Sequence, residues 1–264
     1  MENRFSGKCI VITGAAGNIG LATAKRFAEE GASLALVDVD SEKLKQAAGS
    51  LNQDAKRVRT YVCDVTSSKE VQSLVSSVVD NFGRIDYLFN NAGYQGAFDP
   101  VHKYPDDDFE KVMNINVNGF FYVLKYVAEH MVAKGGGSIV NSASMAGVQG
   151  PPNMTAYAAS KFAVVGITQT ASKDLAPFNV RVNAISPAFM GPGYMWDRQV
   201  ELQAKVGSQY FSSDPKRAAE EMISQVPMRR CGSIDEIPGT VAFLMSDDAS
   251  YITGINVPIA GGIL

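Results

Sequence analysis

Seven short apolar runs punctuate this chain from end to end, and the longer stretches between them carry helical periodicity. The runs are CIVIT (9–13), SLALVD (33–38), RVRTYVC (57–63), RIDYLFN (84–90), SIVNSA (138–143), VRVNAIS (180–186) and INVPI (255–259). Most are apolar throughout, which suits strands covered on both faces, as in a parallel sheet. The clearest intervening helix has Val71, Leu74, Val75, Val78, Val79 and Phe82 on one stripe. It follows Thr66-Ser67-Ser68, which offer N-caps, and stops before Gly83. Strands and helices in alternation imply right-handed crossovers and an α/β fold, a doubly wound sheet of seven parallel strands with helices on both faces.

The 264 residues contain no internal repeat and no Pro/Ser-rich linker, so the span 1–264 reads as a single domain. Lys and Arg total 24 against 27 Asp and Glu, a net charge of −3, without the basic excess of a nucleic-acid binder. No run approaches the roughly 20 apolar residues of a membrane span. The N-terminal MENRFSGKCIVITG does not read as a signal peptide. Cys9, Cys63 and Cys231 are an odd number without CxxC spacing, which fits a reducing, cytoplasmic compartment. His102 and His130 offer no pair at ligand spacing, so no metal is expected.

One segment breaks the rhythm. About 45 residues separate the strand ending near Ser186 from a helix expected to start near Ser233, and they begin SPAFMGPGYMW. Ligands of open α/β sheets bind beyond the carboxyl ends of the strands, so residues at about 187–232 are placed to form a substrate lid. Met190, Met195 and Trp196 are poor choices for a purely solvated loop.

The first run leads into TGAAGNIG (13–20) and then a helix ending at Gly31. A strand, glycine turn and helix N-terminus make an anion site, and Gly14, Gly17 and Gly20 would permit close approach of a pyrophosphate. Asp38 stands 18 residues beyond Gly20, at the end of the second run. A carboxylate there accepts from the ribose 2′-hydroxyl of NAD and repels the 2′-phosphate of NADP. Val39 and Asp40 follow, so no arginine is placed to neutralise a phosphate.

The fourth helix carries a stripe of Phe109, Val112, Met113, Asn116, Phe120, Val123, Leu124, Val127 and Met131. A buried amide costs roughly 1–3 kcal/mol without partners, so Asn116 has either a functional or a purely structural hydrogen-bonding role. Tyr157 and Lys161 lie four apart on a helix from about Thr155 to Ala176, hence on one face. A lysine ammonium beside a phenol, together with an oxidised nicotinamide, would lower the phenol's pKa and make it a base for an alcohol. Ser144 precedes Tyr157 by 13 residues, with Ser142 as the competing serine.

These residues resemble the short-chain dehydrogenases/reductases over nearly the whole chain, in TGAAGNIG (13–20), CDV (63–65), NNAG (90–93), INVNG (115–119), SAS (142–144), YAASK (157–161) and RVNAISP (181–187). The resemblance implies a Rossmann fold and a catalytic set of Asn116, Ser144, Tyr157 and Lys161. Tyr157 would exchange the proton, and Lys161 would hold the nicotinamide ribose. Ser144 would position the substrate oxygen, and Asn116 would anchor a water relay to Lys161. It also implies that NAD is lined by Gly14, Gly17, Asn18, Ile19, Gly20, Asp38, Asp64, Val65, Asn90, Ala92, Gly93, Tyr157, Lys161, Pro187 and Met190. A homotetramer is implied too, and the small residues Ala158, Ala159, Ala163, Gly166 and Ala171 would permit close helix packing.

Three positions depart from the family pattern. Asn18 stands where a glycine is usual, and its tolerance of positive φ would preserve the turn. Ala188 follows Pro187 in place of glycine, and Ala260 precedes Gly261-Gly262 in place of an acid. The stretches NNAGYQGAF (90–98), GPPNM (150–154) and GPGYMWDRQVELQAKVGSQYFS (191–212) further resemble the family's bacterial NAD-dependent polyol dehydrogenases. That implies a polyol or ketose substrate, foremost xylitol and D-xylulose. Gln95, Gln149, Asn153 and Trp196 join Ser144 as candidate substrate contacts, although the polar ones equally suit ordinary surface positions. The alternatives are an NAD(H)-dependent carbonyl reductase or secondary-alcohol dehydrogenase for bulkier substrates, and a cofactor-binding scaffold without catalysis.

Overall fold

All seven apolar runs are strands in the computed structural model, which describes residues 3–54 and 56–263. Met1, Glu2, Ala55 and Leu264, all inside the expected span of 1–264, lie outside the described residues. The chain runs β1 (Cys9–Thr13), α1 (Asn18–Glu29), β2 (Ser33–Asp38), α2 (Ser41–Ser50), β3 (Val58–Val62), α3 (Ser68–Phe82) and β4 (Tyr87–Asn90). It continues through α4 (Asp106–Met113), α5 (Phe120–Lys134), β5 (Gly137–Ser142), α6 (Thr155–Leu175) and β6 (Val180–Pro187). The last elements are α7 (Tyr194–Val206), α8 (Pro215–Ser224), α9 (Pro238–Met245) and β7 (Asn256–Ile259). The strands pair in parallel in the order β3-β2-β1-β4-β5-β6-β7. The order reverses between β1 and β4, which opens a crevice at their carboxyl ends.

Strand side chains alternate between faces, so one apolar run feeds two cores. On β1, Cys9 and Val11 join Val71 and Val78 of α3, Val123 and Val127 of α5 and Val164 of α6. Ile10 and Ile12 join Phe27 of α1, Leu44 of α2 and Val241 of α9 on the other face. The two edge strands are the exceptions to continuous burial: Val62 on β3 is 62% exposed, and no residue of β7 is fully buried. Polar groups seal the far end of the sheet: Arg181 donates to the carbonyl oxygens of Leu244 (2.6 Å) and Ser246 (3.1 Å), binding the end of α9. Glu30, buried under Phe5, is held by Arg4 and Arg26.

Helix α3 has the expected bounds, with Ser67 accepting from the Glu70 amide and Gly83 taking the left-handed conformation at φ 71°. Two expectations change. The single fourth helix is α4 and α5 joined through a π-helical turn at Asn114–Gly119. The wider turn offsets the register on its two sides, so Phe109 falls off the buried stripe and is 38% exposed. The helix expected near Ser233 is a short 3-10 turn, Ile234–Glu236, closed by a Ser233/Glu236 capping box. The α-helix proper starts at Pro238, whose missing N–H is tolerated only in a first turn. Residues 187–232, rich in Gly and Pro at their start, contain two helices, α7 and α8. Among the described residues, no helix is long and apolar enough to cross a membrane.

Candidate active site

The carboxyl ends of the central strands open into a cavity of about 1160 Å³. Thr13 ties its base together: its Oγ1 accepts from the amides of Asn91 (2.9 Å) and Ala92 (3.0 Å), spanning β1 and β4. Gly14 needs its hydrogen side chain twice over, because φ is +64° and a Cβ would lie 3.0 Å from Ala92 Cα. Gly17, Asn18 and Ile19 face the cavity where α1 begins. No side chain caps that helix and no acid occupies its first turn. Its leading N–H groups and positive dipole end are therefore available to an anion.

Three sequence expectations at this end need correction. Asn18 is not a positive-φ replacement for glycine; it is the first residue of α1, with ordinary helical backbone. Gly20 does not line the cavity. It lets α1 pack on the turn, since a Cβ there would stand 2.3 Å from the Gly14 carbonyl oxygen. Asn90 is also behind the wall, 1% exposed. It donates to the Phe120 carbonyl oxygen at 3.0 Å and accepts from Thr13 Oγ1 at 3.4 Å, so it braces β1 against α5. Its neighbour Asn91 faces the cavity instead.

Asp38 closes β2 at the cavity edge. Its Oδ2 accepts from the Ala16 amide (3.1 Å) and its Oδ1 from the Asp40 amide (3.2 Å), which fixes the carboxylate at the glycine turn. Asp64 is held by Thr66, whose amide and hydroxyl both donate to Oδ1 (2.9 and 2.8 Å). Asp38, Asp64 and Val65 line one end, and Ala92, Gly93, Pro187 and Met190 continue toward the other. A helix start open to anions, followed by a carboxylate at a strand end, fits a dinucleotide.

At the opposite end Ser144, Tyr157 and Lys161 converge on the cavity. Their approach depends on Gly147: a Cβ there would lie 2.5 Å from the Lys161 carbonyl oxygen, so only glycine lets the turn after β5 seat on α6. Ser144 Oγ accepts from the Ala146 amide (3.1 Å) and donates weakly to the Pro187 carbonyl oxygen (3.5 Å). Lys161 Nζ donates to the Ser142 carbonyl oxygen at 2.7 Å and stands 5.6 Å from the Tyr157 ring centre. Ser142, the competing serine, thus supplies its backbone as an anchor for the lysine.

The expected lowering of the phenol's pKa draws on Lys161 together with an oxidised nicotinamide, and the protein's own groups by themselves act in the other direction. Burial pushes Tyr157 up, opposed by its hydrogen bond with Ser144. Burial also brings Lys161 down to about 8. Desolvation is the leading cause of both shifts, because each charged form loses water on burial.

Asn116 is 1% exposed and fully engaged. Its Oδ1 accepts from the Tyr94 amide (2.7 Å), and its Nδ2 donates to the Tyr94 carbonyl oxygen (2.8 Å) and to Ser160 Oγ (3.0 Å). It clasps the loop after β4 to α6 and lies behind the cavity wall. A Cβ on Gly93 would sit 3.4 Å from Asn116 Oδ1 and 3.6 Å from Lys161 Nζ, ordinary contact distances that mark these residues as neighbours.

The substrate candidates divide. Gln95, Gln149 and Trp196 line the cavity, Trp196 packing on Phe189 at 5.6 Å between ring centres. Asn153 does not line it; its amide donates to Gln203 Oε1 (3.1 Å) and Ser208 Oγ (3.3 Å), which makes it a tether for α7. Sequence reading missed Arg198, Gln199 and Gln203 on α7. Gln199 and Gln203 are four apart, the spacing that places two side chains on one helix face, and that spacing was the available signal.

The chain is similar over nearly its whole length to known oxidoreductases. A family model described as enoyl-(acyl carrier protein) reductase matches residues 14–263. The crystal structure of an NAD⁺-bound xylitol dehydrogenase superposes with a TM-score of 0.97 at 62% identity, covering 98% of this chain and 100% of that one. Levodione reductase of Leifsonia aquatica is 41% identical over 261 residues, 98% of this chain and 95% of its own length. The 3-oxoacyl-(acyl-carrier-protein) reductase of Thermotoga maritima is 37% identical and covers 99% of both chains.

Proposed function

The chain belongs to the short-chain dehydrogenase/reductase family, and on that premise we propose that it is an NAD-dependent polyol dehydrogenase oxidising xylitol to D-xylulose. The observation that carries the reading is a cavity with Ser144, Tyr157 and Lys161 together at one end and a carboxylate, Asp38, at the other. Similarity to an NAD⁺-bound xylitol dehydrogenase at 62% identity favours the pentitol. In this reading residues 187–232 act as the substrate lid of a single domain.

A dinucleotide with its pyrophosphate at the glycine turn would supply, through its oxidised nicotinamide, the hydride acceptor and a positive charge. Tyr157, as phenolate, takes the alcohol proton. Ser144 donates to the substrate oxygen and holds the carbon in place. Lys161 spends one N–H on the Ser142 carbonyl oxygen and keeps two donors for ribose hydroxyls. Its ammonium also favours the phenolate over the phenol. Asn116 is a positioning residue, acting through Tyr94 and Ser160.

The test is NAD reduction across pentitols, hexitols and simple secondary alcohols. Xylitol is expected to give the highest kcat/KM, and a value no better than that of 2-butanol would overturn the polyol assignment. A second reading, a carbonyl reductase for bulkier ketones, draws on the apolar Met154, Met195, Phe211 and Met222 in the cavity. It also draws on the 41% identity to levodione reductase.

Cofactor choice rests on Asp38. Asp38→Asn keeps an acceptor for the Ala16 amide but removes the charge that repels a 2′-phosphate. The ratio of kcat/KM for NAD over NADP is expected to fall by about tenfold or more, like-charge contacts costing several kcal/mol. An unchanged ratio would place discrimination elsewhere. We also infer a homotetramer, supported by Phe121 on α5 and Phe162 on α6, which are 46% and 47% exposed on helix faces that carry the small residues Ala159 and Gly166. Sedimentation as a single chain would reject it.

A further inference from the structure

Three side chains at the junction of α7 with the loop after β4 form a directional chain. Arg198 Nη1 donates to Gln95 Oε1 at 2.9 Å, and Arg198 Nη2 donates to the Gly96 carbonyl oxygen at 2.9 Å. Gln95 Nε2 then donates to Gln199 Oε1 at 3.3 Å. The direction is forced. A guanidinium has donors only, so Gln95 must turn its oxygen to Arg198 and its NH₂ to Gln199. Gln199 must in turn offer its oxygen, which leaves its Nε2 as the group without a partner among the described residues, on a side chain that lines the cavity.

The support beneath Gln95 is rigid. Tyr94 is held by Asn116 through both its amide and its carbonyl oxygen. Asp108 accepts from the Ala97 amide (2.6 Å), Tyr104 Oη (2.9 Å) and Tyr94 Oη (3.1 Å). Gly96 adopts φ +75°, and a Cβ there would strike Val112 at 2.5 Å. Gln203, the buried glutamine of α7, has both ends of its amide engaged: Nε2 donates to the Pro152 carbonyl oxygen and Oε1 accepts from Asn153. Of this pair, Gln199 is the one whose amide nitrogen has no hydrogen bond among the described residues.

Resting on the polyol reading, we propose that Gln199 is a specificity-determining residue. Its Nε2 donates to a substrate oxygen remote from the carbon being oxidised, and Arg198 is the positioning residue that sets this polarity through Gln95. The site therefore selects an alcohol with a second oxygen acceptor on its chain. A monofunctional alcohol leaves the amide unpaired when the segment closes over it.

The experiment measures kcat/KM for xylitol and for 2-butanol in the parent enzyme, Gln199→Leu, Arg198→Met and Arg198→Lys, with NADH fluorescence quenching as the check on folding. In Gln199→Leu, kcat/KM for xylitol is expected to fall about ten- to hundredfold further than that for 2-butanol, the loss due to one unmade hydrogen bond in a dry site. Most of the loss should appear in KM. Arg198→Met should narrow the same ratio by less, and Arg198→Lys, which retains a donor, should restore part of it. A parent that does not prefer xylitol overturns the polyol reading and this assignment with it. A parent that prefers xylitol, with a Gln199→Leu variant that loses both substrates equally or neither, overturns the assignment alone.

Discussion

Tyr157→Phe is expected to lower kcat for xylitol oxidation at least a thousandfold, while NADH fluorescence titration gives a Kd within about twofold of the parent. General acid–base catalysis contributes on the order of 10²–10⁴-fold, and in this cavity no neighbouring side chain could stand in for the phenol. Ser144 is an alcohol like the substrate and no stronger a base for its proton, and Lys161 is directed to the Ser142 carbonyl oxygen. The substitution removes one oxygen from a side chain whose ring packing is retained, so cofactor binding should not suffer. The pH profile adds a second readout. Burial raises the Tyr157 phenol above its ordinary value, so the oxidising direction requires deprotonation of a reluctant acid. The parent's kcat/KM should therefore rise with pH, and the residual activity of Tyr157→Phe should lack that limb. Turnover within tenfold of the parent would mean that the proton leaves by another route.

That reluctance marks a boundary of what sequence could reveal. The spacing of Tyr157 and Lys161 announces that they share a helix face, and they do. Spacing carries no information on solvation, and solvation decides the sign of the phenol's shift. The same limit explains Asn18 and Asn90. A motif names the turn in which each stands, but not whether a side chain looks into the cavity or into the sheet. Asn18 proved to be the first residue of α1, and Asn90 is turned toward Thr13 and Phe120. By contrast, the inner strands β1, β2, β5 and β6 were legible to within a residue at each end, because burial on both faces leaves a mostly apolar run, while β4 starts three residues after the expected one. The exposed edge strand β3 was legible mainly through its neighbours.

The α4–α5 junction was hidden for a different reason. Helical spacing runs on through Val112, Met113, Asn116, Phe120 and Val123 across the π turn at Asn114–Gly119, so the expected periodicity reads straight through it and misplaces Phe109. Only the Asn116 hydrogen bonds to Tyr94 and Ser160 give the wide turn a purpose. Residues 187–232 were legible as an insertion but not as helices. The Gly and Pro at their start conceal an ordinary amphipathic helix behind them. Of what that helix brings to the cavity, Met195 and Trp196 stand out as apolar, whereas Gln199 and Gln203 are polar residues that a sequence assigns to the solvent face by default.

Lys161→Met is expected to abolish turnover and, at pH 7, to make the fold more stable. Lys161 is 5% exposed, and burial brings its ammonium from 10.5 down to about 8. At about 1.4 kcal/mol per pKa unit, holding the charge in the folded chain costs on the order of 3 kcal/mol at neutral pH. Replacement by methionine keeps most of the volume but leaves the Ser142 carbonyl oxygen unpaired, which returns about 1 kcal/mol. A net gain of about 2 kcal/mol remains. Its pH dependence has a definite sign. Between pH 8 and 10.5 the unfolded chain binds this proton and the folded chain does not, so the parent's stability rises with pH across that window. The penalty is present in full below pH 8 and disappears toward 10.5. Urea denaturation of both proteins at several pH values isolates this contribution, since all other titrations cancel in the difference. The gap between variant and parent should be widest near pH 7 and close or reverse near pH 10. A variant that is less stable at every pH would mean that Lys161 stabilises the fold. A gain at neutral pH with lost turnover would mean that the chain sustains a destabilising buried charge at the place where the phenolate and the nicotinamide ribose would need it.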